Sequence, residues 1–225
     1  MWAHPALKRY LIKRRPSIAD FIERIQAEFP PEEDPEKLPE YEDLVAWTIA
    51  DLLVYQKCPE VYDNLDFHAW DFSEVTSITP LNDKVVIDGG AGTGRVALEA
   101  AQTARHVFAV EPVSRLRQFI REKAASAGLD NVFVLDGTLD AIPLPDDFAD
   151  VLITSHALDW SLEEELHEFE RVVKPGGYVI HCPGTADRPG NETHDRLISR
   201  DWHYAWSRFE EADGWKRKYW KQLRE

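Results

Sequence analysis

Between Lys84 and His181 the chain alternates short apolar, β-branched runs with longer stretches of mixed polarity. Val85–Ile87, His106–Val110, Val132–Leu135, Val151–Ser155 and Gly177–His181 read as strands, and Gly94–Thr103, Ser114–Ala127 and Leu162–Val173 read as helices. Strands alternating with helices of 10–15 residues imply right-handed crossovers and a parallel sheet covered on both faces. The C-terminal segment differs. HYAWSRFEEADGWKRKYWKQ reads as two strands joined at Asp213-Gly214, a hairpin signal that gives the sheet an antiparallel edge. The expected fold is therefore α/β, a doubly wound seven-stranded sheet, mostly parallel with an antiparallel C-terminal hairpin, preceded by N-terminal helices.

The N-terminal third has a different texture. In SIADFIERIQAEF, after Pro16, the residues Ile18, Phe21, Ile22, Ile25 and Phe29 fall on one helical face. That helix ends at Pro30-Pro31, and PPEEDPEKLPE reads as an extended acidic linker. A second helix is expected from Glu42 to Gln56, apolar over much of its surface through Leu44, Val45, Trp47, Ile49, Leu52 and Leu53. The domain division that follows is 1–82 as a helical extension or lid and 83–225 as the sheet domain. Tyr55, Tyr62, Phe67, Trp70 and Phe72, with His68, cluster just before the first strand, where part of the set suits a lid and at least half suits core packing.

Composition narrows the partners. With 44 % hydrophobic residues over 225 positions the chain can bury a full core. A formal net charge of −15 repels phosphate backbones, so no nucleic-acid partner is expected; the basic clusters Lys8–Arg15 and Lys216–Lys221 read as solvated faces. Cys58 and Cys182 are far apart and lack metal-ligand spacing, so neither a disulfide framework nor a metal site is expected. No stretch approaches the roughly 20 apolar residues that span a bilayer, and the expected location is cytoplasmic.

The segment VVIDGGAGTGR carries the strongest chemistry: a buried strand, a glycine-rich turn and a helix, with Asp88, Gly90, Gly92 and Gly94 in Asp-x-Gly-x-Gly-x-Gly spacing. About twenty residues on, the second strand ends in Glu111, an acid placed to accept hydrogen bonds from ribose hydroxyls. These features together indicate a nucleoside cofactor. A dinucleotide fingerprint counted from Gly90 would need glycine at position 95, which is Arg95.

This segment resembles the first motif of class I S-adenosylmethionine-dependent methyltransferases. VLDGTLDAIPLPDDFADVLITSHAL is similar to their third and fourth motifs, and ERVVKPGGYVIHC to the stretch leading into strand five. The resemblance covers about Asp83 to Cys182 and implies a Rossmann-like fold with S-adenosyl-L-methionine as cofactor. It implies that Asp88, Gly90 and Gly92 hold the methionine end, that Glu111 holds the ribose, and that Thr138 and Leu139 meet the adenine, with Ser155 at the end of strand four completing the set. Thr138 is a departure, since many relatives carry an acid there, and acids stand instead at Asp136 and Asp140. His156, directly after strand four, is the candidate general base for an acceptor that must lose a proton. The Asn-Pro-Pro-aromatic motif of base and glutamine methylation is absent. The leading expectation is methyl transfer to a small molecule. A protein methyltransferase and an inactive cofactor-binding subunit are the alternatives, and nothing in the sequence fixes the acceptor or the oligomeric state.

Overall fold

In the computed structural model, residues 5–14, 16, 19–28, 53–66, 69–158, 161–211 and 214–224 are described. They belong to two units, Met1–Asp51 and Leu52–Glu225. In the first, α1 (Pro5–Arg14) and α2 (Ala19–Glu28) are ten-residue helices. The amphipathic helix expected after Pro16 corresponds to α2, and Ile22 on its apolar face is buried. The acidic linker, the expected helix from Glu42 as far as residue 52, and Phe67 and His68 lie outside the described residues; residues 53–57 are helical.

The second unit opens with two short helices, α3 (Pro59–Asp63) and α4 (Ser73–Thr76), and continues as β1 (Val85–Gly89), α5 (Arg95–Ala101), β2 (His106–Val110), α6 (Ser114–Ser126), β3 (Val132–Leu135), β4 (Ala149–Thr154), α7 (Leu162–Val172), β5 (Val173–Ala186), α8 (Glu192–Leu197), β6 (Ala205–Glu211) and β7 (Gly214–Gln222). The seven strands lie in the order β3-β2-β1-β4-β5-β7-β6. The first five in that order are parallel and the β6–β7 hairpin is antiparallel, as the alternation and the Asp213-Gly214 signal predict. The chain builds outward from β1 to β3 and then crosses back to lay β4 on the other side of β1, so the topological switch falls between β1 and β4.

Alternating side chains on each central strand feed two cores, which is why these strands read as nearly continuous apolar runs. Val86, Val151, Ile153 and Ile180 pack toward Val96, Ala97 and Ala100 of α5 and Ile120 of α6, along with Trp70, Val75 and Leu81. Val85, Ile87, Leu152 and Val179 pack on the opposite face with Leu166, Phe169 and Val172 of α7. Three glutamates in the first turn of α7 and Arg171 in its last suit the helix dipole.

β5 departs from expectation. The helix stops at Val172, but pairing with β4 begins at once, at Val173, and resumes from Tyr178 after a register shift. Pro175-Gly176-Gly177 thus forms a bulge within a 14-residue strand rather than a loop before it. α8 lacks a strong apolar period and is started by Asn191, whose Oδ1 accepts the His194 N–H at 2.8 Å.

Candidate active site

Ligands of open α/β sheets settle beyond the carboxyl ends of the strands at the switch point. There the structure forms a cleft of about 470 Å³ lined by Gly90, Gly92, Glu111, Thr138, Leu139, Ser155 and His156, all seven of which the sequence singles out. Asp88, the eighth, lies deeper, on an adjoining recess of about 30 Å³. A larger groove of about 740 Å³ opens near the amino ends of β4 and β5, among Asp147, Pro175 and Trp220. It contains none of these residues and lies at the wrong end of the strands for this chemistry.

The turn after β1 is shaped by two glycines in left-handed conformations, Gly90 at φ +66° and Gly92 at φ +54°. A β-carbon on Gly90 would come within 2.7 Å of Ala157 Cβ, so backbone alone passes there. At Gly92 the turn is tied to the neighbouring strand, because its N–H donates to Glu111 Oε2 at 2.9 Å. Glu111 Oε1 accepts the Val113 N–H at 2.8 Å. The carboxylate therefore clamps the glycine turn and the start of the following helix together while standing in the cleft wall. Burial raises its pKa, opposed by the Val113 and Gly92 N–H groups and by Arg117.

Asp88 is fully enclosed at the end of β1, and its Oδ2 accepts the Ala97 N–H at 2.9 Å. Burial raises its pKa to about 7, against the Ala97 hydrogen bond and with a smaller push from the Glu111 charge. On the far side of the cleft, Thr138 bridges to Ala141, and Leu139 is buried with a methyl group beneath Gly89. Asp136 points elsewhere: its two oxygens grip Arg117 Nη1 and Nη2 at 2.9 and 3.1 Å. Asp140 does line the cleft.

His156 follows β4 at φ +53°, a conformation that a non-glycine residue adopts at some cost, and its N–H donates to Pro183 O at 3.0 Å. His181 is a different kind of residue. It has no exposed surface, shares a 2.8 Å hydrogen bond between its Nδ1 and Thr154 Oγ1, and packs against Phe169 and Tyr204. Burial pushes its pKa down to about 3, so it stays neutral within the core.

The aromatics before β1 divide. Tyr55 and Tyr62 line the cleft and meet edge to face at 4.7 Å, with the Tyr62 ring beside Gly92. Lys123 holds that side in place, its Nζ 2.6 Å from Asp63 Oδ1 on α3 and 3.2 Å from Thr93 O on the glycine turn. Trp70 is buried in the core and Phe72 packs against it. The sequence gives no hint of Glu165, which is 4 % exposed and lines the cleft. In SLEEELHEF it reads as one member of a solvated acidic run. The Arg95 guanidinium lies over the Trp70 ring, its central carbon 4.4 Å from the ring centre, and Nη2 donates to Trp70 O. Among the described residues, no cluster of histidine, cysteine and carboxylate side chains suits a metal ion, and no helix is long and apolar enough to cross a membrane.

A doubly wound sheet with a glycine turn and a strand-end acid at its switch point defines the class of nucleoside-binding, Rossmann-like α/β proteins. Within that class, residues 87–181 match the methyltransferase domain family. It is 31 % identical over 101 residues to an uncharacterized methyltransferase of Mycobacterium tuberculosis, covering 44 % of this chain and 40 % of that protein. It is 30 % identical over 98 residues to a malonyl-[acyl-carrier protein] O-methyltransferase of Yersinia pestis, covering 43 % of this chain and 35 % of that one. The chain thus spans less than half the length of these curated relatives. Its fold is shared with a SAM-dependent methyltransferase from Aquifex aeolicus at a TM-score of 0.56 and 22 % identity, over 72 % of this chain and 96 % of that one.

Proposed function

We propose that this chain is an enzyme that transfers the methyl group of S-adenosyl-L-methionine to a small-molecule acceptor bound in the same cleft. The observation that carries the reading is the Glu111–Gly92 clamp: it places a carboxylate and a backbone-lined turn side by side at the switch point. The residues fit the cofactor. Gly90 and Gly92 leave the backbone open to close approach, and Glu111 presents an acceptor for ribose hydroxyls. Thr138 and Leu139 form the wall opposite, for adenine. Asp88 offers a negative charge behind the turn for the ammonium group, and Ser155 closes the floor.

The cofactor supplies an already activated methyl group on a sulfonium. The protein's task is then to orient the acceptor and exclude water. Tyr55, Tyr62 and His156 surround the remaining space of the cleft. His156, its backbone fixed by Pro183 O, is proposed to accept the proton of an acceptor hydroxyl as its oxygen takes the methyl group, or of an acceptor ammonium before its nitrogen attacks. The net charge of −15 favours a small acceptor over an anionic polymer. Calorimetric titration with S-adenosylmethionine, S-adenosylhomocysteine and NAD tests the cofactor. Binding of the first two without NAD supports the reading, and binding of NAD alone refutes it.

A further inference from the structure

The part of the cleft wall that follows β4 in the chain is built by His156, Ala157, Ser161 and Glu165. Glu165 sits in the first turn of α7, where its N–H donates to Ser161 O at 2.9 Å, and only 4 % of the residue is exposed. Carboxylates are rarely enclosed to this degree, because taking the charge out of water is costly. The helix itself does not call for it, since Glu163 and Glu164 in the same turn already suit the dipole. A bare helix start would draw an anionic ligand to Ser161. With three glutamates in its first turn, this one brings negative charge to the cleft instead.

Tyr55 and Tyr62, edge to face at 4.7 Å, supply the aromatic part of the same lining. Aromatic faces and a carboxylate attract one kind of ligand between them, a cation with apolar substituents. Glu111 and Asp140 add to the negative charge, and among the described residues the lining includes no lysine or arginine. His156 is the lining group there that can become positive, and its proposed work as a base requires it neutral. A carboxylate acceptor would enter against this field and share an enclosed space with Glu165, whereas an ammonium offsets the Glu165 charge. We propose that the acceptor is a small organic amine, held as its ammonium ion by Glu165 and by the rings of Tyr55 and Tyr62. The assignment rests on the methyl-transfer reading above and narrows its acceptor class. Glu165 then determines specificity, and proton removal stays with His156.

The test uses the full chain saturated with S-adenosylhomocysteine, whose sulfur is uncharged, and titrates it by calorimetry with tetramethylammonium, n-butylammonium and butyrate. The last two share a carbon skeleton and differ in charge. Both ammonium ions are expected to bind at least about tenfold more tightly than butyrate. Glu165→Gln keeps the shape of the side chain and should lower affinity for both ammonium ions by about tenfold, with S-adenosylhomocysteine held within about twofold. Tyr55→Leu should weaken tetramethylammonium by about two- to fivefold. Melting curves check that both variants are folded. If butyrate binds as tightly as n-butylammonium, or if either variant binds tetramethylammonium like the wild type, the assignment is overturned while the methyl-transfer reading stands. A parallel loss of S-adenosylhomocysteine and ammonium affinity in Glu165→Gln makes Glu165 part of the cofactor pocket and overturns it as well. If the wild type does not bind S-adenosylhomocysteine at all, the cofactor reading itself falls and takes this assignment with it.

Discussion

Asp88 shows how one buried group couples stability to function. Its pKa is raised by burial from 3.8 to about 7 in the folded protein. Between those values the folded chain keeps a proton that the unfolded chain releases. Its contribution to stability is therefore fully present below about pH 4 and lost as the pH rises through 7. Asp88→Asn removes the ionisable group while an amide oxygen still accepts the Ala97 N–H. The ligand-free variant should be more stable than the wild type by about 1–3 kcal/mol at pH 8, the cost of an uncompensated buried polar group, with the gain shrinking toward pH 4. Urea unfolding at both pH values checks this, and a gain that does not vary with pH would show that Asp88 titrates alike in the folded and unfolded chain. In its proposed role at the ammonium, the same substitution weakens cofactor binding. Glu111→Ala should raise the dissociation constant for S-adenosylhomocysteine by about ten- to a hundredfold, through loss of a charged acceptor and of the clamp on Gly92. Unchanged affinity would remove Glu111 from the site. For His156→Gln, turnover should fall while cofactor affinity holds; an equal rate at every pH would dismiss the proposed base.

At the level of elements, legibility follows from how local the determinant is. The five parallel strands and their helices were readable because each buries an alternating or continuous apolar set, and the hairpin because Asp-Gly marks its turn. The bulge in β5 was not, since Pro175-Gly176-Gly177 signals a break in structure but not that pairing resumes with β4 beyond it. The glycine turn and Glu111 were readable because their spacing follows from strand–turn–helix geometry, whereas Thr138 and Leu139 came only with the resemblance to the family's third motif. Glu165 and the Lys123–Asp63 tie were not, because they depend on α7, α6 and α3 meeting in space. That tie has a measurable consequence. The pair is half-buried, so Lys123→Ala should cost only about 0.5–1 kcal/mol of global stability. It should nonetheless speed amide exchange across residues 59–66, since it frees α3 from the glycine turn. Exchange there at the wild-type rate would mean that packing alone holds Tyr62 beside Gly92.

Across the whole molecule, the charge of −15 acts on the cofactor as well as on the acceptor. Glu111, Asp140 and Glu165 line the cleft, while among the described residues no lysine or arginine does. S-adenosylmethionine carries a sulfonium that S-adenosylhomocysteine lacks, so the two differ by one positive charge at the centre of this field. An acidic protein should hold the charged substrate form against the neutral product form, and part of that preference acts over distances that salt screens. Raising the ionic strength from about 0.02 M to 0.5 M should therefore weaken S-adenosylmethionine relative to S-adenosylhomocysteine, by a factor of about two to three once the Debye length falls below the dimensions of the cleft. Paired titrations at the two salt concentrations measure the ratio directly. A constant ratio would mean that the difference between the two ligands is decided only by groups in contact with the sulfur, and that the acidic surface serves solubility rather than cofactor exchange.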